Sequence, residues 1–207
     1  MSNPKGSSAG WRQRQERDPY VQRARDEGYR SRAVYKLEEL LEKARLPGRP
    51  GLVIDLGAAP GAWSQYVVRR WGEKTRVLAL DILPMDEIPG VEFLQGDFTE
   101  SEVLQRLTAE LGGARADLVL SDMAPNISGN RSVDQPRAMY LAELALELAC
   151  DTLRPGGTFI CKVFQGEGFD DLVRAARERF RQVRVVKPKA SRPASREVYL
   201  LARNYHL

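Results

Sequence analysis

Leu52-Val53-Ile54-Asp55-Leu56-Gly57-Ala58-Ala59-Pro60-Gly61-Ala62-Trp63 is the stretch that decides how this chain folds. Leu52–Leu56 is a short, largely apolar run that Gly57 stops, the pattern of a strand buried on both faces of a sheet. The small residues after it let the backbone come close to a ligand, and they open a helix that the sequence carries to roughly Trp71. The loop does not follow the Gly-x-Gly-x-x-Gly pattern of dinucleotide sites, and Pro60 removes an N–H that a pyrophosphate would use. A ligand without phosphates suits it better, and S-adenosylmethionine is such a ligand.

Outward from this stretch the strand-loop-helix pattern repeats. Further strands are expected at residues 76–80, 91–94, 116–120, 158–163 and 183–186, with a last one around 198–202. Helices are expected at 102–111, 135–153 and 169–180. The longest, 135–153, is expected to bury Leu141, Leu144, Ala145, Leu148 and Ala149, and Gly156-Gly157 to break the chain after it. Upstream, Asp18-Pro19 has the form of a helix cap followed by a first-turn proline. A second helix from Ser31 carries Val34, Leu37, Leu40 and Leu41 on one stripe and ends before Pro47-Gly48. Residues 1–17 read as a flexible basic arm and 18–207 as one domain. Alternation of this kind implies an α/β fold whose mostly parallel sheet is covered on both faces, with ligands outside the carboxyl ends of the strands.

The 207 residues contain no apolar run long enough to cross a bilayer, and the start lacks the apolar core of a secretory signal. Cys150 and Cys161 have neither metal-ligand nor redox spacing, so no metal is expected, and the cytoplasm is the expected compartment. The net charge is +4, and its distribution is uneven. The first 32 residues include Arg12, Arg14, Arg17, Arg23, Arg25, Arg30 and Arg32. Arg181, Arg184, Lys187, Lys189, Arg192 and Arg196 follow one another with no acid between them. Two readings stand at this point: a solvated surface, or patches that contact the phosphates of a nucleic acid.

The residues at the expected strand ends carry the chemistry. Asp81 can accept hydrogen bonds from ribose hydroxyls or cap a helix, and Asp97 can accept from an adenine amino group or close a turn. Asp122 leaves the fourth strand at its ligand end, where a buried acid requires a partner. Lys162 is embedded in the apolar fifth strand, either as a functional amine or as a lysine reaching the sheet edge. As strands four and five are expected neighbours, Asp122 and Lys162 can meet. Lys36 and Glu197, each alone, read as surface charges, and His206 as incidental. There is no Ser-His-Asp set, Walker loop or metal cluster.

The chain resembles the FtsJ (heat-shock) family of ribosomal RNA ribose 2′-O-methyltransferases, in particular its bacterial large-subunit branch. The resemblance rests on Tyr29-Arg30-Ser31-Arg32-Ala33-Val34-Tyr35-Lys36-Leu37, the loop from Asp55 to Gln65, and Asp81-Ile82-Leu83-Pro84-Met85. It continues in Phe93-Leu94-Gln95-Gly96-Asp97-Phe98, Ser121-Asp122-Met123-Ala124-Pro125-Asn126, Lys162-Val163-Phe164-Gln165-Gly166 and Ser195-Arg196-Glu197-Val198-Tyr199. It implies a Rossmann-like fold with a seven-stranded sheet whose last strand is antiparallel. It implies a catalytic set of Lys36, Asp122, Lys162 and Glu197, and S-adenosylmethionine contacts at Gly61, Trp63, Asp81, Asp97 and Asp122. Its implied substrate is a uridine ribose in the A-loop of 23S ribosomal RNA, within the assembled 50S particle, and the protein is expected to act as a monomer. Ala62 departs from the family's second glycine; its methyl group would crowd the cofactor or the helix start. The rival readings are a nucleotide-dependent oxidoreductase, a non-enzymatic ribosome-assembly protein, and a methyltransferase of transfer or messenger RNA. For Lys162 two roles remain open: a neutral general base, if burial and Lys36 lower its pKa, or a cation that stabilises the developing alkoxide, if Asp122 prevails.

Overall fold

The computed structural model describes residues 18–206; the expected arm at 1–17 lies outside them. Seven strands form one sheet in the order β3-β2-β1-β4-β5-β7-β6. They are β1 (Leu52–Leu56), β2 (Arg76–Asp81), β3 (Val91–Gln95), β4 (Ala116–Ser121), β5 (Leu153–Phe164), β6 (Phe180–Val186) and β7 (Glu197–Tyr205). The pairs β1–β2, β1–β4, β2–β3 and β4–β5 are parallel, and β7 runs antiparallel between β5 and β6. Among the described residues six α-helices accompany it: α1 (Pro19–Asp26), α2 (Val34–Ala44), α3 (Ala62–Trp71), α4 (Ser101–Leu111), α5 (Arg131–Thr152) and α6 (Phe169–Arg179).

The side-chain alternation of strands divides the core into two layers. Leu52, Ile54 and Leu56 of β1, with Phe159, Cys161 and Val163 of β5, face α4, α5 and α6. Val53 and Leu120, with Ile160, Tyr199 and Leu201, face α1, α2 and α3. This parity places the site. Lys162 shares the face of Ile160, Asp122 follows Leu120 by two, and Glu197 shares the face of Tyr199 and Leu201, so all three turn toward α2, which bears Lys36.

Two expectations are corrected. Helix α5 begins at Arg131, not 135, because the Asn130 carboxamide caps it by accepting from the Ser132 N–H at 3.1 Å. Pro136 therefore lies inside the helix, where its missing N–H forfeits only a bond near the helix start. Its buried face is centred on Ala138, Ala142, Ala145 and Ala149, and Leu141 and Leu144 are half-buried. Gly156-Gly157 does not precede β5 but lies within it. The strand starts at Leu153 opposite Ala116, and the register then slips so that Thr158 faces Leu118. Gly156, at φ +83°, supplies the left-handed conformation that this irregularity requires.

Candidate active site

The loop between β1 and α3 is held from two sides. From the sheet, Asp81 Oδ2 accepts from the Ala59 N–H at 2.8 Å, while its other oxygen accepts from Leu83 N–H at 2.8 Å. From above, the Arg30 guanidinium donates to the carbonyls of Pro60 (3.0 Å), Asp86 (2.8 Å) and Glu87 (2.9 Å). Gln65 ties the same arginine's main chain to α3, its Oε1 accepting from Arg30 N–H at 3.1 Å. Gly61 sits at φ +105° at the start of α3, and a Cβ there would meet Ile88 Cδ1 at 2.6 Å and Met85 Sδ at 2.9 Å. Only glycine fits that turn.

The other expected ligand residues fall as follows. Asp97 is at the end of β3, its Oδ1 accepting from the Thr99 N–H and hydroxyl at 2.8 and 2.7 Å. Trp63 has its side chain in the core, where the indole N–H donates to the Ala33 carbonyl at 2.8 Å and the ring packs against Tyr199. What Trp63 presents to the loop is its first-turn N–H, which has no acceptor within the helix. Ala62 is buried in the layer beneath α1, α2 and α3, so its methyl group fills core space.

Four carboxyl groups line the carboxyl ends of β1 to β4: Asp55, Asp81, Asp97 and Asp122. Asp55 is wholly buried, with Ser64 Oγ donating to its Oδ2 at 2.6 Å and no hydrogen-bond partner for its Oδ1. Burial, with the Asp122 and Asp81 charges adding to it, pushes this carboxyl up to about 7. Such a concentration of acid suits a cationic ligand and repels a polyphosphate. S-adenosylmethionine, with a sulfonium and an ammonium against one carboxylate, is a net cation and has no phosphate. The residues present therefore fit it.

Beside this acidic rim stands a cluster of ion pairs. Lys162 Nζ lies 3.0 Å from Asp122 Oδ1 and 3.8 Å from Glu197 Oε2, and it donates to the Asp122 carbonyl at 3.1 Å. Lys36 Nζ lies 2.7 Å from Glu197 Oε1, which also accepts from the Ser191 hydroxyl at 2.8 Å. The Tyr199 hydroxyl donates to Asp122 Oδ1 at 2.6 Å. Burial would lower the Lys162 ammonium, but the Asp122 and Glu197 carboxylates outweigh it and raise its pKa above the usual 10.5. Burial would raise Glu197, but Lys36 and Lys162 hold it below the usual carboxylate range. Of the two roles left open for Lys162, this geometry favours the cation.

Lys36, Asp122, Lys162 and Glu197 thus meet, drawn from α2, the end of β4, β5 and β7. Tyr199 and Ser191 were not anticipated. For Tyr199 a signal existed: it lies two residues beyond Glu197 in a strand, hence on the same face.

The basic residues divide. Arg12, Arg14 and Arg17 lie outside the described residues. Arg23 pairs with Glu27 at 2.7 Å and covers the Tyr35 ring, and Arg32 bonds the Asp18 carboxylate and the Ala190 carbonyl. Lys187 donates to the Ser195 and Glu197 carbonyls, and Arg196 to that of Gln165. Arg25, Arg181, Arg184, Lys189 and Arg192 are exposed. Among the described residues no helix is long and apolar enough to cross a membrane, and no group of His, Cys, Asp or Glu could hold a metal ion.

Residues 29–205 match the family model of the FtsJ-like methyltransferases. The chain belongs to that family. Among the relatives of this FtsJ-like methyltransferase, a Marinobacter nauticus protein named ribosomal RNA large subunit methyltransferase E is 55% identical, over 97% of either chain. A Chromohalobacter salexigens protein of the same name is 57% identical over 99% of this chain and 98% of its own. A Plasmodium falciparum crystal structure described as a ribosomal RNA methyltransferase superposes with a TM-score of 0.77 at 31% identity, covering 86% of this chain and 98% of that one. Human methyltransferase-like protein 13, solved in complex with SAH, shares the fold at a TM-score of 0.60 and 15% identity, over 83% of this chain and 82% of its own.

Proposed function

We propose that this enzyme transfers the methyl group of S-adenosylmethionine to the ribose 2′-hydroxyl of a uridine in the A-loop of 23S ribosomal RNA, acting as a monomer on the assembled 50S particle. The observation that carries the reading is the pair of Lys162 and Asp122, 3.0 Å apart at the carboxyl edge of the sheet and beside the acidic rim. The names of the relatives that match nearly the whole chain support the ribosomal substrate.

S-adenosylmethionine, when bound, supplies an electrophilic methyl carbon attached to a sulfonium. Gly61, the first turn of α3, Asp81 and Asp97 would hold it, and Asp122 would border both its site and that of the RNA. The Lys162 ammonium holds the ribose oxygen by hydrogen bonding and stabilises the negative charge that builds on it as its proton leaves for solvent. Asp122 fixes that ammonium through its carboxylate and its carbonyl. Tyr199, whose pKa burial and the neighbouring acids raise well above the ordinary value, stays protonated and orients the Asp122 carboxylate. Lys36, held by Glu197, faces the nucleotide. Aligning two reactants in this way is worth on the order of 7–11 kcal/mol of barrier.

The exposed cations Arg25, Arg181, Arg184, Lys189 and Arg192 serve as phosphate contacts, with the cytoplasm as the setting. Incubation with labelled S-adenosylmethionine and large ribosomal subunits that lack the modification tests the reading. Label is expected in one ribose of the A-loop; label on a base, or in free transfer RNA in preference to subunits, would overturn it.

A further inference from the structure

Next to the ion-pair cluster lies a cavity of about 260 Å³ that the mechanism above does not use. Pro125, Ile127 and Phe164 form its apolar wall, with Arg131 and Arg196 beside them. Connectivity ties it to the cluster. Pro125 follows Asp122 by three residues, Phe164 follows Lys162 by two on the same strand, and Phe164 pairs with Glu197 across β5 and β7. Ile127 is 71% exposed, apolar surface that the chain itself leaves open.

We propose that this cavity receives the base of the nucleotide whose 2′-hydroxyl Lys162 holds, turned out of its stack; the inference rests on the ribose-methylation reading. Its volume is below the roughly 300–1,000 Å³ of sites for drug-sized ligands, which suits one heterocyclic ring. Its chemistry suits a base as well. Bases of single-stranded RNA loops and bulges can be splayed out of their stack and held by aromatic faces and arginine planes. Arg196 gives one N–H to the Gln165 carbonyl at 3.0 Å, and its remaining donors, with those of Arg131, suit the flanking phosphates. The one acid at the cavity, Asp134, is engaged by the Ser128 and Gly129 N–H groups at 2.9 and 3.0 Å.

The test replaces Ile127 with the photoreactive benzoylphenylalanine in the full chain and irradiates it with unmodified large subunits. The cross-link is expected at the nucleotide that the wild-type protein methylates. A cross-link elsewhere, or none in a preparation that the wild type methylates, overturns the proposal. In parallel, Phe164→Ala is expected to raise KM for subunits roughly ten-fold, in the range of base–aromatic stacking, with S-adenosylmethionine affinity unchanged and Phe164→Tyr restoring KM. An unchanged KM overturns it. Should Phe164→Ala not fold, Ile127→Ala is read in the same way. Absence of ribose methylation by the wild type would instead remove the underlying reading.

Discussion

Strand β4 carries an acid near each end, and the two do different work. At the amino end, Asp117 accepts from the Gly51 and Leu52 N–H groups at 2.7 and 3.0 Å and bonds Arg154. Just past the carboxyl end, Asp122 holds Lys162 at 3.0 Å and Tyr199 at 2.6 Å. Their side chains are equally exposed, at 19% and 18%. Burial and ion pairing therefore do not separate a functional acid from a structural one. The partners do. Asp117 is bonded by main-chain groups and one exposed arginine, an arrangement that fastens the start of β1 to β4. Asp122 fixes Lys162, whose ammonium keeps a further donor for a substrate, while the buried Tyr199 spends its one hydroxyl proton on holding Asp122 in place at the ligand end of the sheet.

The sharpest way to break this contrast is to neutralise both acids in turn. Asp122→Asn is expected to slow methyl transfer on the order of 10²–10³-fold in single-turnover assays, the range for losing an oriented donor to a developing oxyanion, because Lys162 is no longer fixed. Asp117→Asn is expected to leave the rate per folded molecule unchanged and to cost about 1–3 kcal/mol in denaturant unfolding, as weakened hydrogen bonds to a charged acceptor do. Equal rate losses in the two variants would dissolve the distinction. A smaller effect sharpens it from the cofactor side. Arg30 touches no group of the ion-pair cluster but clamps the loops on either side of the acidic rim. Arg30→Ala is expected to weaken S-adenosylmethionine binding roughly ten-fold by calorimetry, the scale of one charge-assisted hydrogen bond, while the salt dependence of RNA binding stays as it was. Lost RNA affinity with unaltered cofactor affinity would make Arg30 a phosphate contact instead.

That arginine also marks how far the sequence can be read. The strands and the mostly parallel sheet were legible, because short apolar runs that end in Gly57, Asp81 or Asp122 and alternate with helical stretches fit buried parallel strands. Lys162 stood out as a charge inside an apolar strand. Lys36 and Glu197 were placed only by the family resemblance, since a lone charge on a helix or strand reads as solvated surface. On charge alone, Arg30, Arg32 and Lys187 read as solvated surface or as phosphate contacts. Their acceptors are carbonyls and a carboxylate brought near by the fold, such as Asp86 and Glu87 for Arg30, and no local pattern announces those. The slip in β5 was hidden for a related reason: Gly156-Gly157 reads as a stop, and only pairing with β4 shows the chain already in the sheet before it.

The claim beneath all of this is that a cationic Lys162, held by Asp122 and Glu197, meets the ribose oxygen. Lys162→Ala measures it most directly, with S-adenosylmethionine affinity and single-turnover methyl transfer determined on the same folded preparation. The account predicts near-normal cofactor binding and transfer reduced on the order of 10²–10³-fold, the range for losing one donor to a developing oxyanion. Transfer at the wild-type rate would contradict it.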